Sequence, residues 1–194
     1  MSSKVLMTVR YAMHKILLAD RQLELTLERL CYRLLEEYGD FSDACMVALQ
    51  PRGVAFAERL HGRLESLLSG TRILLGKLDT TFYRDDFRRK EHPLKPMETE
   101  MDFLVEDRRV LLVDDVLFSG RSVRAALTAL QHYGRAEKIE LCCLIDRRFN
   151  REVPVQSDYT GLTIDALNAE YVQVEWADEA GQDRVILYDS KPQR

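Results

Sequence analysis

The residues of this chain best suited to chemistry are two adjacent carboxylates followed closely by a hydroxyl-bearing glycine turn. They are Asp114-Asp115 and Ser119-Gly120-Arg121-Ser122, inside the stretch VLLVDDVLFSGRSVRAALTAL from Val110 to Leu130. A helix amino terminus presents unpaired backbone N–H groups and the positive end of a dipole, so a small-residue turn placed there suits a phosphate. Gly120 lets the backbone come close, and Ser119 and Ser122 can donate hydrogen bonds. The carboxylates cannot favour that same phosphate, because like charges repel. They suit sugar hydroxyls or a hard divalent cation such as Mg²⁺. A ligand carrying phosphate, ribose diol and metal in that order satisfies both halves. Taken separately, an acidic strand end is an ordinary solvated terminus and a serine pair an ordinary helix cap. Their conjunction singles the segment out.

The elements that position these groups are legible from patterning. Val110-Leu111-Leu112-Val113 reads as a strand covered on both faces of a parallel sheet, and Val123, Ala126, Leu127 and Leu130 recur at helical spacing after the turn. The same strand, turn and helix layout occurs earlier: Ala44 to Leu49, then Gln50-Pro51-Arg52-Gly53, then a helix from Val54 to about Leu68. An arginine and a glycine at such a turn can approach a second phosphate group, although alone they make a plain turn with an exposed Arg. Residues 1 to 20 read as a strand or arm with Asp20 as an N-cap, and the helix Arg21 to Tyr38 carries Leu23, Leu27, Leu30, Leu34 and Leu35 on one face before Gly39. A strand from Arg72 to Thr80 leads into a polar stretch reaching about Asp102, with Pro93 and Pro96. A long stretch without periodicity is usually disordered or functional. Further strands are expected over Lys138 to Ile145, Tyr171 to Trp176 and Arg184 to Tyr188, with Gly181 in the last turn; Trp176 and Tyr188 read as packing residues. The pattern predicts an α/β fold, a mainly parallel sheet flanked by helices.

Composition narrows the function classes. With 46% apolar and 31% charged residues in 194, the chain has the make-up of a soluble globular protein. A formal charge of −4 argues against dominant non-specific nucleic-acid binding. Cys31, Cys45, Cys142 and Cys143 lack metal-ligand spacing and read as reduced buried thiols, and the four histidines are scattered. No signal-like core or membrane span is legible, so no membrane partner is expected and the cytoplasm is the expected location.

The segment from Asp114 through Val116, Leu117 and Phe118 to Ser122 resembles the 5-phosphoribosyl-1-pyrophosphate (PRPP) motif of type I phosphoribosyltransferases, with serine at both threonine positions. Gln50-Pro51-Arg52-Gly53 resembles that family's pyrophosphate loop. Tyr83-Arg84-Asp85-Asp86, preceded by Asp79, is similar to the flexible loop of a narrower group, the PyrR family of pyrimidine-operon regulators that are also uracil phosphoribosyltransferases. Val113 to Arg124, Leu144 to Arg147, Arg151 to Pro154 and Asp158 to Gly161 match the same group.

The resemblance implies one domain over 1–194, with a small hood drawn from about 1–20 and 146–194, and a homo-oligomer, dimer or higher. It implies Mg²⁺-dependent transfer from PRPP to uracil, yielding UMP and pyrophosphate. Asp114 and Asp115 would hold the ribose hydroxyls and, directly or through water, Mg²⁺; Ser119 to Ser122 the 5-phosphate; Arg52, Gly53 and Arg84 the pyrophosphate. The base would lie against Phe118 and the backbone of Ile145, Asp146 and Arg147, under a lid formed by the flexible loop. Purine-specific relatives carry an aspartate where this chain has Phe118, which cannot exchange a proton but can stack on a planar ring, so a pyrimidine is favoured. Three features depart from the PyrR pattern: Gln50-Pro51 in place of Lys-Thr, Arg148 in place of glycine, and Glu28, Tyr32 and Glu37 around Arg29 where relatives carry hydroxyl-bearing or basic residues. An RNA-binding regulator acting on a pyrimidine leader messenger therefore ranks second, and a purine or orotate phosphoribosyltransferase third.

Overall fold

The computed structural model describes residues 14–85, 96–167 and 169–192. Its centre is a five-stranded sheet in the order β3-β2-β4-β5-β6, parallel throughout. The strands are β2 Ala44–Leu49, β3 Leu74–Leu78, β4 Arg109–Leu117, β5 Lys138–Arg148 and β6 Tyr159–Asp165. Every residue of β2 is buried, as expected of a strand covered on both faces. Its side chains alternate between two cores. Met46 and Ala48 pack with the leucines of α1 (Asp20–Tyr38) and with Phe56, Leu60 and Leu64 of α2 (Gly53–Leu67), whereas Cys45 and Val47 pack with Val123, Ala126 and Leu130 of α3 (Arg121–Leu130). Helices thus cover both sheet faces, the layering the sequence predicts.

A second sheet is small and antiparallel, in the order β1-β8-β7, built from β1 His14–Ala19, β7 Tyr171–Glu175 and β8 Arg184–Tyr188. Its apolar side chains, Leu18, Val172, Trp176 and Val185, join the core beneath α1 and α2. Trp176, in front of the short helix α4 (Ala177–Ala180), is buried beneath the guanidinium of Arg59, 4.2 Å from the ring centroid, and Arg59 reaches Asp178 at 2.6 Å. These contacts fasten the small sheet to α2.

Several boundaries differ from the sequence expectation for physical reasons. Asp20 is not a cap: α1 follows β1 directly, Ala19 occupies the capping position, and Asp20 is the first helical residue, acidic in the dipole-favoured first turn. The strand expected over Val110 to Val113 continues through both aspartates to Leu117, because β5 supplies partners as far as Leu117↔Asp146. The carboxyl-terminal segment expected to build the small unit divides: 159–165 form the outer strand of the main sheet, and 171–175 and 184–188 pair with β1. At the end of the sheet away from the aspartates, Glu140 accepts from Tyr38 at 2.8 Å and Tyr159 at 3.1 Å and pairs with Lys138 and Arg109, so a buried carboxylate there is fully compensated. All four cysteines are buried free thiols. No helix among the described residues is long and apolar enough to cross a membrane.

Candidate active site

The ends of β2 and β4 deliver the two turns to one edge of the sheet. β4 brings Asp114 and Asp115 to its last turn nearly covered, at 8% and 6% exposure. The backbone N–H of Asp115 donates to Asp114 Oδ1 at 2.9 Å, and that of Val116 to Asp115 Oδ1 at 2.8 Å. These two bonds leave most of the carboxylate lone pairs open to a ligand. Burial, and then the neighbouring Asp115, push Asp114 well above the ordinary carboxylate range. Burial also raises Asp115, and Arg52 draws it part of the way back. Two adjacent buried acids that repel one another titrate as a pair. A cation arriving there would favour the charged form of both.

The β2–α2 turn sets Arg52 against this pair. Its Gln50–Pro51 peptide is cis. Gly53, the first residue of α2, lies so close to the central strand that a Cβ there would stand 2.5 Å from the Val113 carbonyl oxygen and 3.1 Å from Asp114 Cα. Only glycine allows the approach, and it ties the position of Arg52 to that of the acid pair. The Arg52 guanidinium donates to the Tyr171 hydroxyl, and its carbon lies 5.4 Å from the Tyr171 ring centroid. A cleft of about 1040 Å³ opens here, with Arg52 and Asp115 on one wall and Tyr171 and Tyr188 of the small sheet, with Lys191 beyond its last strand, on the other.

On the other side of the acid pair, Gly120 adopts φ +86° and turns the chain into α3. The left-handed conformation requires glycine, and a Cβ there would also meet Val155 Cγ2 at 2.5 Å. The turn places the first N–H groups of α3 beside the Ser122 hydroxyl, an anion-binding arrangement. Residues 83–85 dock on it. Tyr83 lies against His132 with ring centroids 5.7 Å apart, Arg84 Nη1 donates to Ser122 Oγ at 2.7 Å, and Asp85 pairs with Arg121 and, at 2.7 Å, with Arg124. Arg84 therefore stands at the hydroxyl turn, whereas the sequence expectation placed it at the leaving group. Asp86 lies outside the described residues. Asp79 clasps both flanks of that segment: Oδ1 accepts from the Thr81 N–H at 3.0 Å and Oδ2 from the Met97 N–H at 3.0 Å.

The expected base-binding residues also converge. Phe118 is 37% exposed, and one face of its ring is covered by the guanidinium of Arg147, 4.1 Å from the centroid. Arg147 is buried, and its Nη2 donates to the Leu167 carbonyl at 2.9 Å. Ile145 is fully buried and paired on both sides, to Val116 and Leu162, while β4 ends opposite Asp146. Beyond that point the backbone edge turns to a residue whose role sequence reasoning missed. Arg151 donates to the carbonyls of Leu117 at 3.3 Å, Arg147 at 3.0 Å and Val155 at 3.2 Å, and it pairs with Asp146. It pins the ends of β4 and β5 together. Its motif is legible in sequence, but the carbonyls it collects are not.

The arrangement therefore offers, along one sheet edge, an anion turn, a buried acid pair, a cation and an aromatic platform. Comparison with known proteins identifies the family that carries this fold. The family described as phosphoribosyl transferase domain matches residues 13–179. The chain is 38% identical to the bifunctional protein PyrR of Limosilactobacillus fermentum over 167 residues, covering 85% of this chain and 92% of that protein. It is 36% identical to the bifunctional protein PyrR of Actinobacillus pleuropneumoniae serotype 5b over 181 residues, covering 92% of this chain and 99% of that one. Among solved structures, the hypoxanthine phosphoribosyltransferase of Trypanosoma cruzi superposes with a TM-score of 0.68 at 16% identity, over 92% of this chain and 97% of that one, a likeness of fold alone.

Proposed function

The chain belongs to the phosphoribosyl transferase family, in its PyrR branch, and from that premise we propose that it transfers a 5-phosphoribosyl group from PRPP to uracil, giving UMP and pyrophosphate. The reaction breaks the bond from ribose C1 to the pyrophosphate oxygen and forms one from C1 to uracil N1, which gives up its proton. Positive charge develops on the ribose and negative charge on the leaving group, so groups fixed beforehand against both lower the barrier. Asp114 and Asp115 face the ribose hydroxyls. Ser119, Ser122 and the first N–H groups of α3 take the 5-phosphate, and Arg52 neutralises the departing pyrophosphate. Arg151 acts at a distance, fixing the strand ends that carry Phe118 and the backbone of 145–147.

Mg²⁺ fits this donor set. The acid pair offers hard oxygens, and no group of three or more His, Cys, Asp or Glu gathers among the described residues; an ion that keeps substrate oxygens and waters as its other ligands needs only one or two carboxylates. Held by Asp114 and Asp115, it would supply further neutralisation of the pyrophosphate charge. The same family reading carries a single unit over 1–194 and a homo-oligomer.

The observation that carries the choice of base is Phe118, a non-titrating ring covered by Arg147 on one face and 37% exposed. The family resemblance implies an aspartate at that position in purine-specific relatives, and phenylalanine cannot exchange a proton. Purified protein supplied with PRPP, Mg²⁺ and uracil, orotate, hypoxanthine or guanine in turn is expected to form a nucleotide with uracil alone. Comparable turnover with a purine or with orotate would overturn the base assignment.

A second reading, binding of pyrimidine leader RNA, is favoured by the name shared by the relatives, bifunctional protein PyrR. It ranks behind catalysis because the exposed face of α1 presents Glu28, Tyr32 and Glu37, and carboxylates repel phosphates. Arg29 on that helix donates to the Gly161 carbonyl. A filter-binding titration with such an RNA is expected to give only weak, salt-sensitive retention. Tight, sequence-specific binding strengthened by UMP would place regulation first.

A further inference from the structure

Arg52 is the cation nearest the acid pair, yet its position is set from the opposite wall. It sits on a turn with no capping hydrogen bond, and Asp115 and Asp114, on its own wall of the cleft, attract it. A long side chain with that freedom and that attraction would fold onto the aspartates, and each would then cancel the charge the other offers a substrate. It does not do so: no ion pair joins Arg52 to either aspartate among the described residues, and the guanidinium instead donates to the Tyr171 hydroxyl and lies against the Tyr171 ring. A second cation shares the ring, with Lys191 Nζ 5.9 Å from its centroid. Glu175, further along the same strand, is paired with Arg184 at 2.6 Å, so its charge is already met.

We propose that Tyr171 is a positioning residue that holds Arg52 off the acid pair, and that Lys191 is a second cation for the leaving diphosphate. The inference rests on the transferase reading above and deepens it. An electron-rich face and a hydroxyl acceptor suit a guanidinium, and a cation fixed before the ligand binds has less freedom to lose on binding. Two cations gathered on one ring, beside a cleft that Asp115 also lines, suit an anion carrying more charge than one arginine neutralises. A diphosphate has that character.

The test uses the full chain and calorimetric titration with magnesium pyrophosphate, and separately with UMP, which carries a 5-phosphate and a base but no diphosphate. Tyr171→Leu and Lys191→Gln are each expected to weaken pyrophosphate binding about tenfold. Tyr171→Phe, which keeps the ring and loses the acceptor, should fall between Tyr171→Leu and wild type. UMP affinity should stay unchanged in all three. In steady state, KM for PRPP should rise in each variant while KM for uracil does not, a split that loss of a merely structural tyrosine would not produce. Should Tyr171→Leu fail to fold, Tyr171→Phe and Lys191→Gln carry the test. Wild-type pyrophosphate affinity in those variants would overturn the proposal and leave the transferase reading standing. A wild-type protein that binds neither pyrophosphate nor UMP would defeat that reading, and this inference with it.

Discussion

Asp114→Asn is expected to remove most of the turnover and yet to melt at a higher temperature than the wild-type protein at pH 7. The amide is isosteric and keeps the Oδ1 acceptor that holds the Asp115 N–H at 2.9 Å, so the strand end should keep its shape. What it lacks is the negative charge that faces the ribose and a cation. Loss of one preorganised electrostatic group of this kind costs about a hundredfold or more in turnover. The gain in stability follows from burial and the neighbouring Asp115, which raise the carboxyl of Asp114 well above 3.8, its ordinary value. The folded protein thus binds this proton more tightly than the unfolded chain does, and the wild type loses stability as pH rises through the window between those two values. Below the window the carboxyl is protonated in both states, and Asp and Asn should melt nearly alike. Above it the full penalty is present, so the gap in melting temperature should be widest at neutral and alkaline pH and close as pH falls. Asp115→Asn should lose turnover to a similar degree and gain less stability, since Asp115 also forfeits the attraction of Arg52. Thermal melts from pH 4 to 9 beside initial rates provide the measurement. An Asp114→Asn variant that melts below wild type throughout, or one with near-normal turnover, would show that the acid pair is not the strained, charge-bearing centre described above.

The cost of burying two adjacent charges explains why this acid pair stands out in the sequence. Two carboxylates behind an apolar run have no structural benefit to offset their burial, whereas Glu140, similarly covered, is ringed by partners. Period and composition located β2, β4, β8 and helices α1, α2 and α3 because each has a face, or two faces, that must be buried. They missed β6, whose Tyr159–Asp165 run is only partly covered at the sheet edge and so has a weak pattern. They placed Asp20 as a cap, because an acid before a helical period reads that way, although Ala19 occupies the position. Contacts between distant segments leave no local trace at all. Arg52 and Tyr171 are 119 positions apart, and a tyrosine opening a strand reads as an ordinary β residue. Arg84 was expected at the leaving group, and no local pattern announces the docking of 83–85 on α3 that brings it to Ser122.

The close approach of α2 to β4 is the geometric condition on which Arg52 depends, and Gly53→Ala tests it directly. The added methyl would stand 2.5 Å from the Val113 carbonyl oxygen, 3.1 Å from Asp114 Cα and 3.3 Å from the Val113 carbonyl carbon. All three are backbone atoms of the central strand, held in register on both sides by β2 and β5, so none can rotate away. The helix must lift instead. Because Phe56, Ala57, Leu60 and Leu64 anchor α2 in the core, the lift is opposed by packing and should cost about 1–3 kcal/mol in stability. It also carries Arg52, one residue earlier, away from the acid pair, and a displacement of about 1 Å in a positioning group can cost on the order of a hundredfold in turnover. Gly62→Ala separates this effect from any general intolerance of α2. Gly62 is helical with nothing within 4 Å of an added Cβ, so alanine there should stabilise the protein by about 1 kcal/mol and leave turnover unchanged. Denaturant melts and initial rates on both variants decide the matter. If Gly53→Ala retains wild-type turnover, the spacing between Arg52 and the acid pair does not limit catalysis, and the leaving-group role assigned to that turn fails.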